Sequence, residues 1–270
     1  MASVRICFAQ AGPAWENPRK SMDKAGIYAK EASEKAAGII IFPEQYATGW
    51  DPESNENMSG PDGFIPRTFR KIAEENNIAV LGSFREITEE NTYGPAKPKN
   101  TSVFYDENGR LLAKYSKIHL FSPGNEDRFF LSGDMPAVFD YKGIRFGLSV
   151  CYDLRFSDLY SYYCKKGCEC IFVQAAWPKK RMKHWRLFIH SRAVENQYFV
   201  AGVNTTGNTS VDEYPGGSLL VSPSGEDILE AGENEDLYYA EIDPYVVKET
   251  RKKFCSLSDR RDDLYIKWGR

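Results

Sequence analysis

The sequence predicts an α/β protein in which two β-sheets pack face to face with helices on the outside. Three observations carry this. Short apolar, β-rich runs alternate with stretches of helical spacing in the first and third quarters of the chain. The middle and the end are β-rich. No repeat, low-complexity tract or linker divides the 270 residues, which read as one domain from residue 1 to residue 270.

The elements follow in order. Val4 to Gln10 alternates apolar and polar residues as a first strand. Asn17 caps a helix with Pro18 at its first position; Met22, Ala25, Ala29, Ala32 and Ala36 recur along one face, and Gly38 ends it. I-I-I-F-P-E follows as a buried strand with Glu44 at its exit, and a Gly, Pro, Asn and Asp-rich loop runs from Thr48 to Pro61. A helix from Gly63 to Asn76 turns Ile65, Phe69 and Ile72 inward before a strand from Ile78 to Phe84. Thr101 to Tyr105 and Leu111 to Ser116 form a hairpin around the turn Asp106 to Gly109, and Lys117 stands where it ends. Phe121 to Pro136, punctuated by Pro and Gly and carrying Glu126, reads as a long surface loop of the kind that is usually functional.

Later come a strand C-E-C-I-F-V-Q-A-A-W-P, Cys168 to Pro178, a helix Met182 to Gln197 with Trp185, Phe188, Ile189 and Ala193 on one face, and the strand Y-F-V-A-G-V-N-T-T. Two further β-segments meet at the turn Ser222 to Gly225, and D-L-Y-Y-A-E-I-D leads into a basic helix ending near Phe254. The tail, residues 255–270, is charged but carries Tyr265 and Trp268, which suggests that it docks on something, such as another subunit.

Bulk properties narrow the partners. A net charge of −3 with charges spread throughout offers no basic stripe for nucleic acid and no basic amphipathic helix for a membrane surface. No apolar run reaches the roughly 18 residues of a membrane span, and the N-terminal apolar run is too short for a signal-peptide core. A cytoplasmic protein acting on small molecules is expected, with its six cysteines as reduced thiols. Cys164, Cys168 and Cys170 lack a second ligand group at metal-binding spacing, and no glycine-rich phosphate loop occurs, so neither metal nor other cofactor is expected.

The chemistry centres on Ile144 to Phe156, I-R-F-G-L-S-V-C-Y-D-L-R-F. Ile144, Phe146, Leu148 and Val150 read as a buried strand that stops at Cys151. Asp153 and the spacing Phe156, Leu159, Tyr160, Tyr163 start a helix closed by Gly167. The thiol therefore sits in a strand-to-helix elbow, where a helix N-terminus would favour the thiolate. Asp153 and Arg155 read as a helix-start carboxylate and its ion-pair partner.

C-Y-D-L-R-F, preceded by F-P-E at Glu44 and by Y-S-K-I-H-L-F at Lys117, resembles the nitrilase superfamily of carbon–nitrogen hydrolases, over nearly the whole chain from Val4 to about Tyr265. The resemblance implies an α-β-β-α sandwich and catalysis by Glu44, Lys117 and Cys151. Cys151 would attack an amide carbonyl and form a thioester as ammonia leaves. Glu44, its proton affinity raised by apolar neighbours, would relay the protons. Lys117 and the Tyr152 backbone N–H would hold the oxyanion. Glu126 matches a second family glutamate that orients Lys117 or the substrate. Tyr46, Trp177 and Arg181 are candidates for the pocket wall, with Arg181, Lys179 or Lys180 as the cation for a carboxylate on the substrate. Arg192, Glu195, Asn196 and Asn204 resemble scaffold positions behind the site.

C-Y-D-L-R-F looks like the amidase branches, including ω-amidases, more than the nitrilases proper. Nitriles and N-carbamoyl compounds remain alternatives for the same three residues. Family members are commonly dimers, and Tyr160, Tyr162 and Tyr163 beside the aromatic tail would suit such an interface. On chemistry alone two rivals stand: a Cys–His hydrolase using His119, His184 or His190, and a non-catalytic binding or assembly protein on the same scaffold.

Overall fold

The computed structural model describes residues 3–54, 56–87 and 97–268. The chain runs β1 (Val4–Gln10), α1 (Pro18–Glu34), β2 (Ile39–Ile41), α2 (Phe64–Asn76), β3 (Ala79–Glu86), β4 (Lys99–Tyr105), β5 (Leu111–Ser116), α3 (Glu126–Phe129), β6 (Val138–Tyr141) and β7 (Ile144–Val150). It continues α4 (Ser157–Lys165), β8 (Cys170–Ala175), α5 (Met182–Asn196), β9 (Phe199–Asn204), β10 (Thr206–Asn208), β11 (Glu213–Pro215), β12 (Leu219–Val221), β13 (Asp227–Glu230), β14 (Asp236–Ile242), α6 (Pro244–Lys253) and α7 (Asp262–Lys267).

The strands form two six-stranded sheets, ordered β14-β1-β2-β3-β4-β5 and β13-β12-β9-β8-β7-β6, with β10 and β11 as a separate pair. Each sheet has a parallel centre, β1-β2-β3 in one and β7-β8-β9 in the other, edged by antiparallel strands. Successive side chains of a strand point to opposite faces, and that parity divides the core into layers. Ile6 and Phe8 of β1 face Phe146 and Leu148 of β7 and Phe172 of β8 between the sheets. Cys7 and Ala9 face outward onto Met22, Ala25 and Ala29 of α1 and Phe69 of α2. On the other side Ile171 and Val173 meet Tyr160 of α4 and Trp185 and Ile189 of α5. Both faces of both sheets are covered, which is why Ile39, Ile40 and Ile41 show no alternation at all. The α-β-β-α expectation is met.

The helix signals act as their chemistry requires. Asn17 Oδ1 accepts from Lys20 N at 3.1 Å and Pro18 opens α1. The helix stops at Glu34 rather than at Gly38, because Ala36 takes φ +60° and leaves the helical path. Gly202 is where α5 presses on its sheet: a Cβ there would collide with Ile189 and Trp185.

Two expectations about the surface change. The tail lies along its own α4, where Arg260 Nη2 donates to Ser161 Oγ at 2.6 Å and Lys165 pairs with Asp262 at 3.1 Å. Tyr160 and Tyr163 are core residues, fully buried, so Tyr162 alone of the three reaches the surface. Among the described residues no helix is long and apolar enough to cross a membrane, and no group of three or more His, Cys, Asp or Glu is placed to hold a metal ion.

Candidate active site

The three residues singled out in the sequence meet where strands end. β2 releases Glu44 three residues after Ile41, β5 releases Lys117 directly after Ser116, and β7 releases Cys151 directly after Val150. Crevices at the carboxyl ends of parallel strands are where α/β sheets present side chains to a ligand. Gly133 N donates to Lys117 O at 2.8 Å and Lys117 N donates to Asn100 O at 2.8 Å, so the lysine backbone is tied on both sides.

Lys117 is 1% exposed, Glu44 2% and Glu126 0%, which makes this a buried ion cluster. The Lys117 ammonium donates to Glu44 Oε1 at 3.0 Å and to Glu126 Oε2 at 2.8 Å. Burial alone would strip its proton, but Glu126 and then Glu44 overcome that and hold its proton affinity above the lysine norm. Glu44 Oε2 accepts from Ala176 N at 2.9 Å, which ties it to the exit of β8 in the other sheet. Glu126, expected on a surface loop, is buried because α3 folds inward and Phe121 N donates to its Oε2 at 2.7 Å.

Cys151 has φ +46°, a left-handed conformation uncommon for a side chain of this kind. It opens a 3-10 turn, Cys151–Arg155, and the α-helix begins only at Ser157. The expected benefit of a helix N-terminus at the sulfur is therefore absent. Burial first and the nearby Glu44 carboxylate second push the thiol well above its ordinary value, while Lys117 pulls it back. At rest the sulfur carries its proton. Burial likewise pushes Cys7 and Cys168 up to about 12.

Asp153 is not Arg155's partner. It is fully buried and accepts from Val150 N at 2.9 Å, Tyr115 Oη at 2.6 Å and His119 N at 2.9 Å, with His119 Nδ1 2.8 Å away. It thereby clamps the cysteine elbow to the segment carrying Lys117. His119 stacks on Phe156 at 3.8 Å, His184 Nδ1 lies 3.3 Å from Arg155, and His190 bonds to Arg186 O and Asp227. Each histidine is thus engaged with a group other than the thiol.

A cleft enclosing about 30 Å³ opens above the cluster, lined by Trp50, Lys117, Phe121, Cys151, Tyr152, Arg155, Ala176, Trp177, Pro178, Arg181, Asp212 and Tyr214. Trp177 and Arg181 are among its lining residues. Asn204 holds the Trp177 main chain, accepting from its N at 2.6 Å and donating to its O at 3.0 Å, and the indole N–H donates to Arg181 O at 2.9 Å. Tyr46 does not line it: Gln45 takes φ +48°, which breaks the strand alternation and sends Tyr46 against Phe42 in the outer core. Lys179 and Lys180 are paired with Glu213 and Asp212. Arg155 joins the wall instead, over the rings of Tyr152 and Trp177. Burial and the nearby Arg181 both lower its hold on its proton, and neither guanidinium has a carboxylate partner among the described residues.

Two residues were not visible in advance. Asn100, fully buried, donates through Nδ2 to Glu44 Oε1 at 2.7 Å and to Glu126 Oε1 at 3.1 Å. Arg85, also fully buried, holds the segment after Glu44 by bonds to Gln45 Oε1, Gly49 O and Glu56 O at 3.0, 2.9 and 3.0 Å, which sets Trp50 on the rim. A polar residue inside a strand leaves no periodic signal, so neither stood out.

The carbon-nitrogen hydrolase profile matches residues 5–252. The chain belongs to that family. This hydrolase is 30% identical over 262 residues to the 2-oxoglutaramate amidase of Bacillus subtilis, covering 96% of this chain and 98% of the relative. It is 32% identical over 258 residues to the human omega-amidase NIT2, with 91% of each covered. Among solved structures, XC1258 of Xanthomonas campestris, a CN-hydrolase superfamily protein with an arsenic adduct in its active site, superposes with a TM-score of 0.88 at 26% identity over 96% of this chain and 98% of that one. An amidase of Nesterenkonia, seen after Michael addition of acrylamide at its active-site cysteine, gives 0.83 at 26% identity over 98% and 99%.

The resting thiol makes a prediction. Because burial and Glu44 raise it, thiolate appears only at alkaline pH, so alkylation of Cys151 by iodoacetamide should climb with pH to a midpoint above the ordinary 9.0. Peptide mass spectrometry of timed samples reads this, and a plateau already reached by about pH 7 would show a thiolate at rest instead.

Proposed function

We propose that this hydrolase cleaves a small-molecule amide bearing a carboxylate at its far end, an ω-amide, to the acid and ammonia. The whole chain serves as one catalytic domain. The observation that carries the reading is a buried ammonium bonded to two buried carboxylates beneath a cleft lined by Cys151, Arg155 and Arg181.

The steps balance. The Cys151 proton passes to Glu44 as sulfur attacks the carbonyl carbon. The oxyanion is held by the Lys117 ammonium and by the N–H of Tyr152, which, as the second residue of its turn, lacks a partner within that turn. Glu44 returns the proton to nitrogen, ammonia leaves, and a thioester to Cys151 remains. Water then gives a proton to Glu44 and adds to the thioester. Collapse expels the sulfur, which recovers its proton from Glu44. Lys117 keeps its proton throughout, and Glu126 keeps Lys117 in place.

The substrate class is supported by the two guanidinium groups, which lack a carboxylate partner and repel each other until an anion lies between them. The Bacillus subtilis and human relatives, a 2-oxoglutaramate amidase and an omega-amidase, support the same class. A cytoplasmic setting is supported by the six cysteines, all unpaired. A homodimer is supported by Ile266 and Trp268, 69% and 73% exposed, and by Tyr162 on the adjoining α4, a surface that a second copy would cover. The mass in solution decides it: a monomer at all concentrations overturns this part.

Ammonia release from ω-amides, nitriles and N-carbamoyl compounds tests the chemistry. Cys151→Ala should be inactive and Lys117→Ala should lose about 10²–10³ in kcat. Arg155→Ala should raise KM for an ω-amide acid at least about tenfold and leave the matching uncharged amide nearly unchanged, since only the former uses the guanidinium. Preference for nitriles, or equal loss on both amides, contradicts the reading.

A further inference from the structure

Glu44 and Glu126 are alike in chemistry, equally buried and bonded to the same ammonium. The proposed reaction asks one of them to carry the proton. What separates them is the number of donors each receives. An ionised carboxylate has about four lone-pair directions. Glu126 fills them: Lys117 and Asn100 on Oε1, both at 3.1 Å, and Lys117 and Phe121 N on Oε2, at 2.8 and 2.7 Å. Glu44 receives Lys117 at 3.0 Å and Asn100 at 2.7 Å on Oε1, and Ala176 N at 2.9 Å on Oε2. One direction is left over, and of the two carboxylates Glu44 is the one whose charge acts more strongly on the Cys151 thiol.

Asn100 is common to both glutamates. Its single amide group spans the two carboxylates, while its own Oδ1 is buried with no partner among the described residues. A buried acceptor left unpaired is a cost that stability by itself would not keep. The orientation that strands Oδ1 is the one that turns the two N–H groups onto the carboxylates. Resting on Glu44 as the proton carrier, we propose that Asn100 is the positioning residue that assigns that role to Glu44 and keeps Glu126 a permanent anion.

The charge balance shows why a neutral donor is needed. Two carboxylates share one ammonium, so the cluster holds an excess negative charge away from water. Among the described residues, the titratable groups facing Glu44 are Lys117 from the end of β5, Glu126 from α3, Cys151 from the elbow and Tyr214 from β11. Lys117 is the one cation among them. The Asn100 N–H groups stabilise both anions without adding charge. Without them each carboxylate binds a proton more tightly, and Glu126 gains an open direction. The proton is then held by two groups, of which Glu44 is the one proposed to exchange it with the sulfur.

The test is the pH profile of kcat/KM for an ω-amide over about pH 5 to pH 10. It compares the wild type with Asn100→Ala, Asn100→Asp and Asn100→Ser, and runs Glu44→Gln in parallel. The acid limb should move to higher pH by about one unit in Asn100→Ala and further in Asn100→Asp, where a charge replaces a donor. Asn100→Ser, which keeps one donor and disturbs the fold least, should move the same way by less, and that shift is required even where the other two do not fold. In every folded variant kcat should fall with KM little changed. An unshifted acid limb at reduced rate makes Asn100 merely structural and overturns the proposal. Wild-type turnover in Glu44→Gln would instead remove Glu44 as the proton carrier, a separate failure.

Discussion

The site is organised by one buried cation. Lys117 sits out of water between Glu44 and Glu126, and ions taken into a protein interior cost several kcal/mol each unless geometry and further hydrogen bonds repay it. Here the repayment comes from rigid elements. Asn100 on β4, Ala176 at the end of β8 and Phe121 beside α3 supply the other donors, so the cluster is assembled from both sheets and from the segment that follows the hairpin. The sandwich is what places them together: facing sheets end their parallel strands at one edge, and every charged group of the cluster leaves such an edge or lies against it.

The elbow adds a second constraint. The positive φ at Cys151 is a strain of roughly 1–3 kcal/mol, of the sort that persists at functional sites when surrounding contacts enforce it. Asp153 is the enforcing contact. By binding Val150, Tyr115 and His119 together it fixes the sulfur relative to the ammonium. In the proposed reaction one proton passes between the thiol and Glu44, so that no new net charge is created in a dry space.

What could be read from the sequence was what local pattern encodes. Strands and helices followed from periodicity, and Glu44, Lys117 and Cys151 stood out because F-P-E, Y-S-K-I-H-L-F and C-Y-D-L-R-F resemble a family's motifs, each at the exit of a recognisable strand. Other features depend on contacts between distant segments. Glu126 sits in a Pro- and Gly-rich stretch that looks exposed, and only the inward turn at α3 buries it. Arg155 follows Asp153 by two residues and seemed its partner, yet the 3-10 turn points the two side chains to different places. The same turn removes the helix N-terminus expected at the sulfur. Tyr46 went to the outer core because the backbone at Gln45 reverses, a change that alternation cannot anticipate. Asn100 left no trace, being one polar residue in a strand whose importance lies in two carboxylates 56 and 26 positions away.

The central claim is that substrate carbon becomes bonded to the sulfur of Cys151. Acid-quenching the enzyme during turnover of an ω-amide and mapping its peptides by mass spectrometry tests this most directly. The account predicts the mass of the acyl group on the peptide carrying Cys151, lost on treatment with hydroxylamine and enriched with substrates whose thioesters hydrolyse slowly. Turnover with no adduct, or an adduct on another residue, would contradict it.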